Sequence, residues 1–415
     1  VEGKMITKLR KFADDVARGD YAQRGHQYSQ VIKAERIKHN MTLEEMAKGI
    51  CSVSYLCKVE NQDIVPAEDY VHSLFERVNI DYKNLVDSEA DVELNTIIEA
   101  YFLCDFEKVK DYYLSVNWKV NNANVYLSRS FYFLVNKEYD KFKQEIALLD
   151  EIKKSLTEEQ AILLLFLVCS YYVITHQFHE AYKYTCCLEI INITNPKIRA
   201  MSYEQRVFVA YQMRRYPQML RAFEVLKKEY FISYPSKRQI LIELTYQLFR
   251  GKDYPELSAK AAKRISFESL SNLCDIDIIY FKYLVLLAAK EYKMVYEEIK
   301  EYSLSDQARF LALIGYCAYQ LRNDEYQNQF LQLIPQVTYN TDDTIHHKFI
   351  KFLEIKFTAT KTYDLLEYLK YDVIPYSYNY LHKFYNQIYQ EEYIDILCKL
   401  SRYKEAVYYM INKMA

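Results

Sequence analysis

The side chains best suited to reading a ligand gather in one short run, Ser52, Val53, Ser54, Tyr55 and Lys58. On a helix beginning near residue 52 they share the side opposite Leu56 and Val59, since positions three to four apart lie together. Small hydroxyl and apolar groups at a helix N-terminus suit the base edges of a duplex major groove, which is wide enough for one α-helix. Lys58 has the charge for a phosphate oxygen. Upstream, Lys33, Arg36 and Lys38 stand on the polar side of a stripe formed by Val31, Ala34 and Ile37, where they could hold the backbone of the same duplex.

The flanking residues predict the elements that must position this run. Thr42 followed three residues on by Glu45 is a capping box, in which the hydroxyl accepts from one orphan backbone N–H and the carboxylate from another. Leu43, Met46 and Ala47 share the inward face of the helix so begun, Ala47 being small where a second helix crosses. Gly49 can adopt the left-handed conformation that ends it. Ser52 is the expected N-cap of the second helix. The whole reads as a helix-turn-helix. A helix over Tyr28–His39 precedes it, and a helix from about Pro66 to Val78, with Tyr70, Val71, Leu74 and Phe75 apolar, completes a small core.

The run Ile50–Asn61 resembles the lambda-repressor/Cro type of helix-turn-helix, in the shortened-turn version found in RNPP peptide-pheromone receptors. About 60 residues carry the resemblance. It places Thr42 at the family's Thr opening the second helix, Ala47 at its small position, and Glu60 and Asn61 at its Glu-Asn after the recognition helix, which implies DNA contacts for Thr42 and Asn61. The family's backbone-contacting Gln is here Leu43. Ile80–Val86 resembles the family's short closing helix.

Composition sets the surroundings. The 415 residues are 51% hydrophobic with only six glycines and seven prolines, too little turn punctuation for hairpins, so the expected class is all-α. The 43 tyrosines are expected between helices with their hydroxyls at the surface. Nine cysteines without a paired C-x-x-C spacing suggest neither a disulfide framework nor zinc, and the adjacent His346 and His347 point apart as a solvated pair. No phosphate loop, nucleophile elbow or H-E-x-x-H occurs, so neither catalysis nor a cofactor is expected. The longest apolar run, Ile162–Ile174, is too short for a bilayer, and the charged N-terminus is unlike a signal, so a cytoplasmic protein is expected. Val1–Lys4 precede Met5, a possible natural start. Met5–Arg18 forms an amphipathic helix through Ile6, Leu9, Phe12, Ala13 and Val16, with the helix-turn-helix core or a dimer mate as its partner. Residues 1–61 carry 11 Lys and Arg against 8 Asp and Glu, and residues 62–91 carry 2 against 8, so the DNA-reading unit is not basic as a whole.

Beyond Ser88 the sequence repeats. Phe106, Tyr139, Phe178, Tyr216, Tyr254, Tyr292, Tyr326, Tyr363 and Tyr403 recur every 33 to 40 residues, each at the expected start of the second helix of a pair. Three residues after each stand Val109, Phe142, Ala181, Met219, Leu257, Val295, Gln329, Leu366 and Ala406, apolar in every case except Gln329. Thr157 with Gln160 is a second capping box, and Pro217 and Pro255 suit helix starts. With Tyr172, Ala181 and Leu188 at family spacing, the stretch resembles tetratricopeptide repeats, which implies a right-handed superhelix of about nine helix pairs with a concave, peptide-binding face. On that register Glu204, Phe208, Tyr211, Gln212, Gln239, Tyr246 and Arg250 line the groove. Amides there would grip a peptide backbone and Arg250 would clamp a C-terminal carboxylate.

The sequence therefore predicts an N-terminal amphipathic helix (1–27), a helix-turn-helix DNA-binding domain (28–88) and a tetratricopeptide-like domain (89–415) for peptide binding and dimerisation. The resemblance implies a transcription regulator of the quorum-sensing type, controlled by a short intracellular signalling peptide and acting as a homodimer on a double-stranded operator; the arbitrium receptors of phages are relatives of the same architecture. The alternative is an adaptor whose repeats capture a partner protein without DNA binding.

Overall fold

The computed structural model describes residues 11–18, 27–80, 94–115, 121–251, 253–265, 273–301, 307–337, 344–358 and 362–414. Ile6 and Leu9 of the first amphipathic stretch, Trp118, and the closing helix expected beyond Ile80 lie outside them. The class is all-α, with no strand among the described residues. After a helical stretch over residues 11–17, the described residues form α1 (Gln27–Lys38), α2 (Leu43–Ala47), α3 (Val53–Glu60) and α4 (Glu68–Arg77). Then follow α5 (Leu94–Phe102), α6 (Phe106–Ser115), α7 (Ala123–Val135), α8 (Tyr139–Ile152), α9 (Glu158–Ile174), α10 (Phe178–Ile190), α11 (Pro196–Gln212) and α12 (Tyr216–Val225). The rest are α13 (Ser236–Arg250), α14 (Pro255–Lys263), α15 (Leu273–Ala288), α16 (Tyr292–Glu301), α17 (Ala308–Leu321), α18 (Asp324–Leu333), α19 (Thr344–Thr358), α20 (Thr362–Glu367), α21 (Ile374–Asn379), α22 (Lys383–Lys399) and α23 (Tyr403–Met414).

Most of the described turns between paired helices share one closure. In α7–α8, Lys137 takes a left-handed backbone (φ 59°), its N–H donates to Leu134 O (3.2 Å) and the next N–H, of Glu138, donates to Phe133 O (2.9 Å). This is the Schellman closure, which satisfies two orphan carbonyls at a helix end and reverses the chain at once. The same pair of bonds recurs at Cys104, Arg214, Lys290 and Ser401, and again at Asn40, Gln62 and Asn79 in the N-terminal bundle. At Cys104, Lys137, Arg214, Lys290 and Ser401 the aromatic of the repeat stands two residues later and opens the second helix.

Two repeats slip from the expected register. Tyr254 is the N-cap of α14 instead of its first residue, so Leu257 is 57% exposed and Ser258 is buried in its place, donating to Gln247 Oε1 at 3.0 Å. Around Arg322 the second helix already begins at Asp324, two residues ahead of Tyr326, which leaves Gln329 half-buried beside Phe330.

The chain divides into two compact units, one comprising Val1–Ile174, Glu180–Arg206 and Glu224–Pro235, the other Thr175–His179, Val207–Phe223 and Ser236–Ala415. In the first unit, Val31, Ile32, Met46, Ala47, Leu56, Val59, Val71, Leu74, Phe75 and Val78 form the core of the α1–α4 bundle. Ile32 replaces Ile37 at the centre of the α1 stripe, and Ile37 is half-buried. Phe12, Ala13 and Val16 are buried too, and Asp14 Oδ1 lies 3.8 Å from Cys187 Sγ on α10, so the amphipathic segment finds cover within its own chain. In the second unit, Gly315 is a packing requirement: a Cβ there would stand 2.6 Å from Leu353 Cδ1 and from Phe330 Cε2, where α17 meets α18 and α19. His346 is buried, not solvated, with Nε2 3.0 Å from Tyr280 Oη, which also lies 2.7 Å from His382 Nε2. A phenol that can donate once and accept twice is what lets two imidazoles sit in an aromatic core. No helix among the described residues is long and apolar enough to cross a membrane.

Because an L-residue in the left-handed region meets its own carbonyl and glycine does not, Lys137→Gly is expected to stabilise the protein by about 0.5–1 kcal/mol, and Lys137→Val to destabilise it. Chemical denaturation midpoints of the two variants check the sign.

Candidate nucleic-acid interface and ligand positions

Local sequence builds the α2–α3 unit as expected. Thr42 Oγ1 accepts from Glu45 N–H (3.1 Å) while Glu45 Oε2 accepts from Thr42 N–H (2.7 Å), closing the capping box. These bonds to the ionised form hold the Glu45 carboxyl below its ordinary pKa. Gly49 takes φ 75° in the turn, and Ser52 Oγ accepts from Tyr55 N–H (3.1 Å) as the α3 cap. Leu56 and Val59 are fully buried, whereas Ser52, Val53, Ser54 and Lys58 are exposed. Thr42 is exposed at the start of α2, and Asn61 is half-buried, its Nδ2 3.5 Å from Cys57 Sγ.

Three of the expected DNA-facing residues are placed differently. Tyr55 turns toward the next loop: its hydroxyl accepts from Ala67 N–H (3.0 Å) and its ring meets Tyr70 at 5.1 Å, so it positions the start of α4. Arg36 is bound to the protein. Its Nε and Nη2 donate to the two carboxylate oxygens of Glu60 (2.6 and 2.8 Å) and its Nη1 donates to Met41 O (2.8 Å). That parallel pair raises the guanidinium pKa and ties α1 to the end of α3. Lys33 is half-buried, and burial lowers its pKa, although Glu60 opposes the shift.

The reason lies on the other side of α1. Ser29, Gln30, Ala34 and Glu35 are buried, and Gln30 and Glu35 bond to residues within 121–160 of the same unit. Gln30 Nε2 and Gln62 Nε2 both donate to Ser155 O (2.5 and 2.7 Å), and Glu35 Oε1 accepts from the N–H and the Nδ2 of Asn121 (3.0 and 2.7 Å). Asn121 Oδ1 in turn lies 3.4 Å from Arg129 Nη1, which stands 3.8 Å from Glu145 Oε1. Desolvation pushes the Glu145 carboxyl up to about 7, against the pull of Arg129. A buried polar latch thus joins the α1–α4 bundle to α7, α8 and the start of α9. Nothing in the periodicity of α1 announced it; the buried polar run Ser29-Gln30 and the acidic Glu35 between apolar neighbours were the available signal.

The expected groove residues fall in both compact units. Glu204, in the first, is buried and accepts from Tyr234 Oη at 2.5 Å. Tyr211, in the second, is also buried, with Lys383 Nζ 3.8 Å from its ring centroid, and burial raises its phenol pKa. Neither stands on an open surface, because a neighbouring helix or loop covers it. Phe208 packs on Phe281 (5.8 Å), and Gln212 Oε1 accepts from Lys383 N–H (3.3 Å). Tyr246 stacks on Phe223 at 4.4 Å, while Arg250 lies between the Tyr246 and Tyr254 rings at 5.6 and 5.2 Å. Gln239 is half-buried.

Removing Glu60 leaves the Arg36 charge enclosed without its partner, so Glu60→Ala should cost about 3 kcal/mol, measured by thermal denaturation. Glu145 supplies a pH test. Its folded pKa is raised, so it binds a proton that the unfolded chain has already lost, and stability falls as pH rises from about 4.5 to about 7. Glu145→Gln should remove that fall, giving a gain of about 1–3 kcal/mol at pH 8 and almost none below pH 4.5 in denaturation at each pH.

No protein-family model matches the sequence, and no curated protein matches it. Among solved structures, the chain matches the apo form of the competence regulator ComR from Streptococcus vestibularis, with 13% identity over 62% of this chain and 98% of that one and a TM-score of 0.33. A likeness of that degree carries no argument about function.

Proposed function

We propose that this protein is a cytoplasmic transcription regulator, without catalytic activity, that binds a specific DNA operator as a homodimer and answers to a short signalling peptide held by its helical repeats. The observation that supports the reading is the presentation of α3: an exposed N-terminal turn of Ser52, Val53 and Ser54, followed by exposed Lys58, on a helix capped by Ser52 and anchored by Leu56 and Val59. A helix presented by its N-terminal residues is the form in which major-groove readers meet base edges, and a two-fold dimer would set two of them about 34 Å apart. The latch at Asn121 and Ser155 offers a route for ligand control, since a peptide that binds latched and unlatched states unequally shifts the balance between them.

A second reading, the adaptor that captures a partner protein, is favoured by one observation: Arg36 is committed to Glu60, which removes a cation from an already weakly charged bundle. Binding of the purified protein to DNA fragments flanking its own gene, with excess nonspecific competitor, separates the two. The regulator reading expects a competitor-resistant complex. Lys58→Ala should then weaken binding to every sequence and reduce the salt slope by about 1, and Ser54→Ala should cost about 1–3 kcal/mol at one operator position only. Absence of any sequence preference would sink the regulator reading in favour of the adaptor.

A further inference from the structure

In the first unit, a cavity of about 240 Å³ opens between the C-terminal end of α10, the segment Ile191–Ile193 and the outer side of α11. Its two walls differ. Leu188, Ile191 and Ile193 are buried and make an apolar floor, extended to the surface by Ile190, which is 70% exposed. Facing them on α11 are Arg199, Ser202, Tyr203 and Arg206, one and two turns apart on a single helix side. Arg206 is a buried structural cation, donating to Thr185 O (3.1 Å) and paired with Glu189. Arg199 is exposed at the mouth, its guanidinium raised in pKa by the Tyr203 hydroxyl and by Tyr230. Within the lining Glu189 answers Arg206, while Arg199 brings a second positive charge, which Glu229 outside the lining answers only at a distance.

The volume lies below the ~300–1,000 Å³ of pockets that enclose drug-sized ligands, and matches a single residue instead. An aliphatic side chain can lose water against the isoleucine and leucine floor. A carboxylate attached to it can take two parallel bonds from Arg199. A nitrogen donor on the same carbon would meet the end of α10, where the helix dipole is negative and, although Cys187 O already accepts from Ile191 N–H, the last carbonyls lie beyond the reach of the helix's own N–H groups. We propose that this cavity binds an aliphatic α-amino acid unit bearing a free carboxylate, either a free amino acid or the C-terminal residue of a peptide. Neither Glu204 nor Phe208 is among its lining residues, and the inference does not depend on DNA binding.

Calorimetry on the full chain tests it with three probes: L-leucine, the tripeptide Ala-Ala-Leu, and the same tripeptide as its C-terminal amide. The expected result is saturable binding of leucine or of the acid tripeptide, at least tenfold weaker binding of the amide, and at least tenfold loss in Arg199→Gln. Binding by leucine itself identifies a free amino acid as the natural chemistry, and binding by the tripeptide alone identifies a peptide terminus. Equal affinity for acid and amide, unchanged affinity in Arg199→Gln, or no binding of either carboxylate probe overturns the proposal. Arg199 is exposed, so the substitution leaves the helix core in place. Operator binding measured on the same samples stays unaffected by any of these outcomes without ligand, which keeps a failure here distinct from a failure of the regulator reading.

Discussion

The constraint on which the structure depends is the abrupt reversal between paired helices. A helix ends with four carbonyls that have no partner, and a chain of short helices must solve that problem many times without burying unsatisfied oxygen. This protein uses one solution repeatedly, a left-handed residue with two backbone bonds back across it, as at Lys137, Arg214 and Ser401. The bonds belong to the backbone, so the residue type at the bend is free to vary, with a steric cost of order 1 kcal/mol at each non-glycine. At each of these turns the second helix begins two residues later, which lays its apolar face on the first.

Given that turn, the packing follows from side-chain volume. Val109, Phe142, Ala181, Met219, Val295, Leu366 and Ala406 are all buried three residues after the aromatic of their repeat, although their sizes differ widely. The partner helix compensates at each place, as at α17, where Gly315 admits Leu353 and Phe330. Tyrosine suits such an array because its ring fills space between helices while its hydroxyl reaches a partner. Tyr280 does so between two histidines and Tyr234 with Glu204.

The N-terminal bundle obeys a different balance. Its core is small, and α1 is enclosed on two sides, by its own bundle and by residues 121–160. On the second side buried hydrogen bonds make the joint. Gln30, Gln62 and Glu35 engage two backbone groups and two side-chain amides, those of Asn121 and Gln160. Hydrogen bonds of this kind contribute about 1 kcal/mol each, and they exchange readily for water once the surfaces part. The Arg36–Glu60 pair inside the bundle is of the other kind, a multidentate bond that keeps α1 and α3 together whatever happens outside.

Sequence by itself determined what is set within a few residues. The Thr42–Glu45 box, the Ser52 cap, the left-handed Gly49, the inward Leu56 and Val59, and most of the repeat register are local matters of hydrogen-bond reach and helical period, and the chain adopts them as its spacing demands. The slips at Tyr254 and Tyr326 are where a one- or two-residue shift in the helix start moved the inward position, which an aromatic marker alone could not register. Tertiary structure decided everything that depends on a partner far along the chain. Tyr55 and Arg36 have the outward phase and charge of DNA-contacting residues, yet Ala67 and Glu60 claim them. Glu204 and Tyr211 have groove spacing, yet Tyr234 and Lys383 cover them. Gln30 and Glu35 look like solvated helix positions until Ser155 and Asn121 arrive. Helical period states which way a side chain points; only the folded chain supplies what it meets there, and for a polar group the identity of that partner sets its charge, its exposure and its availability to a ligand.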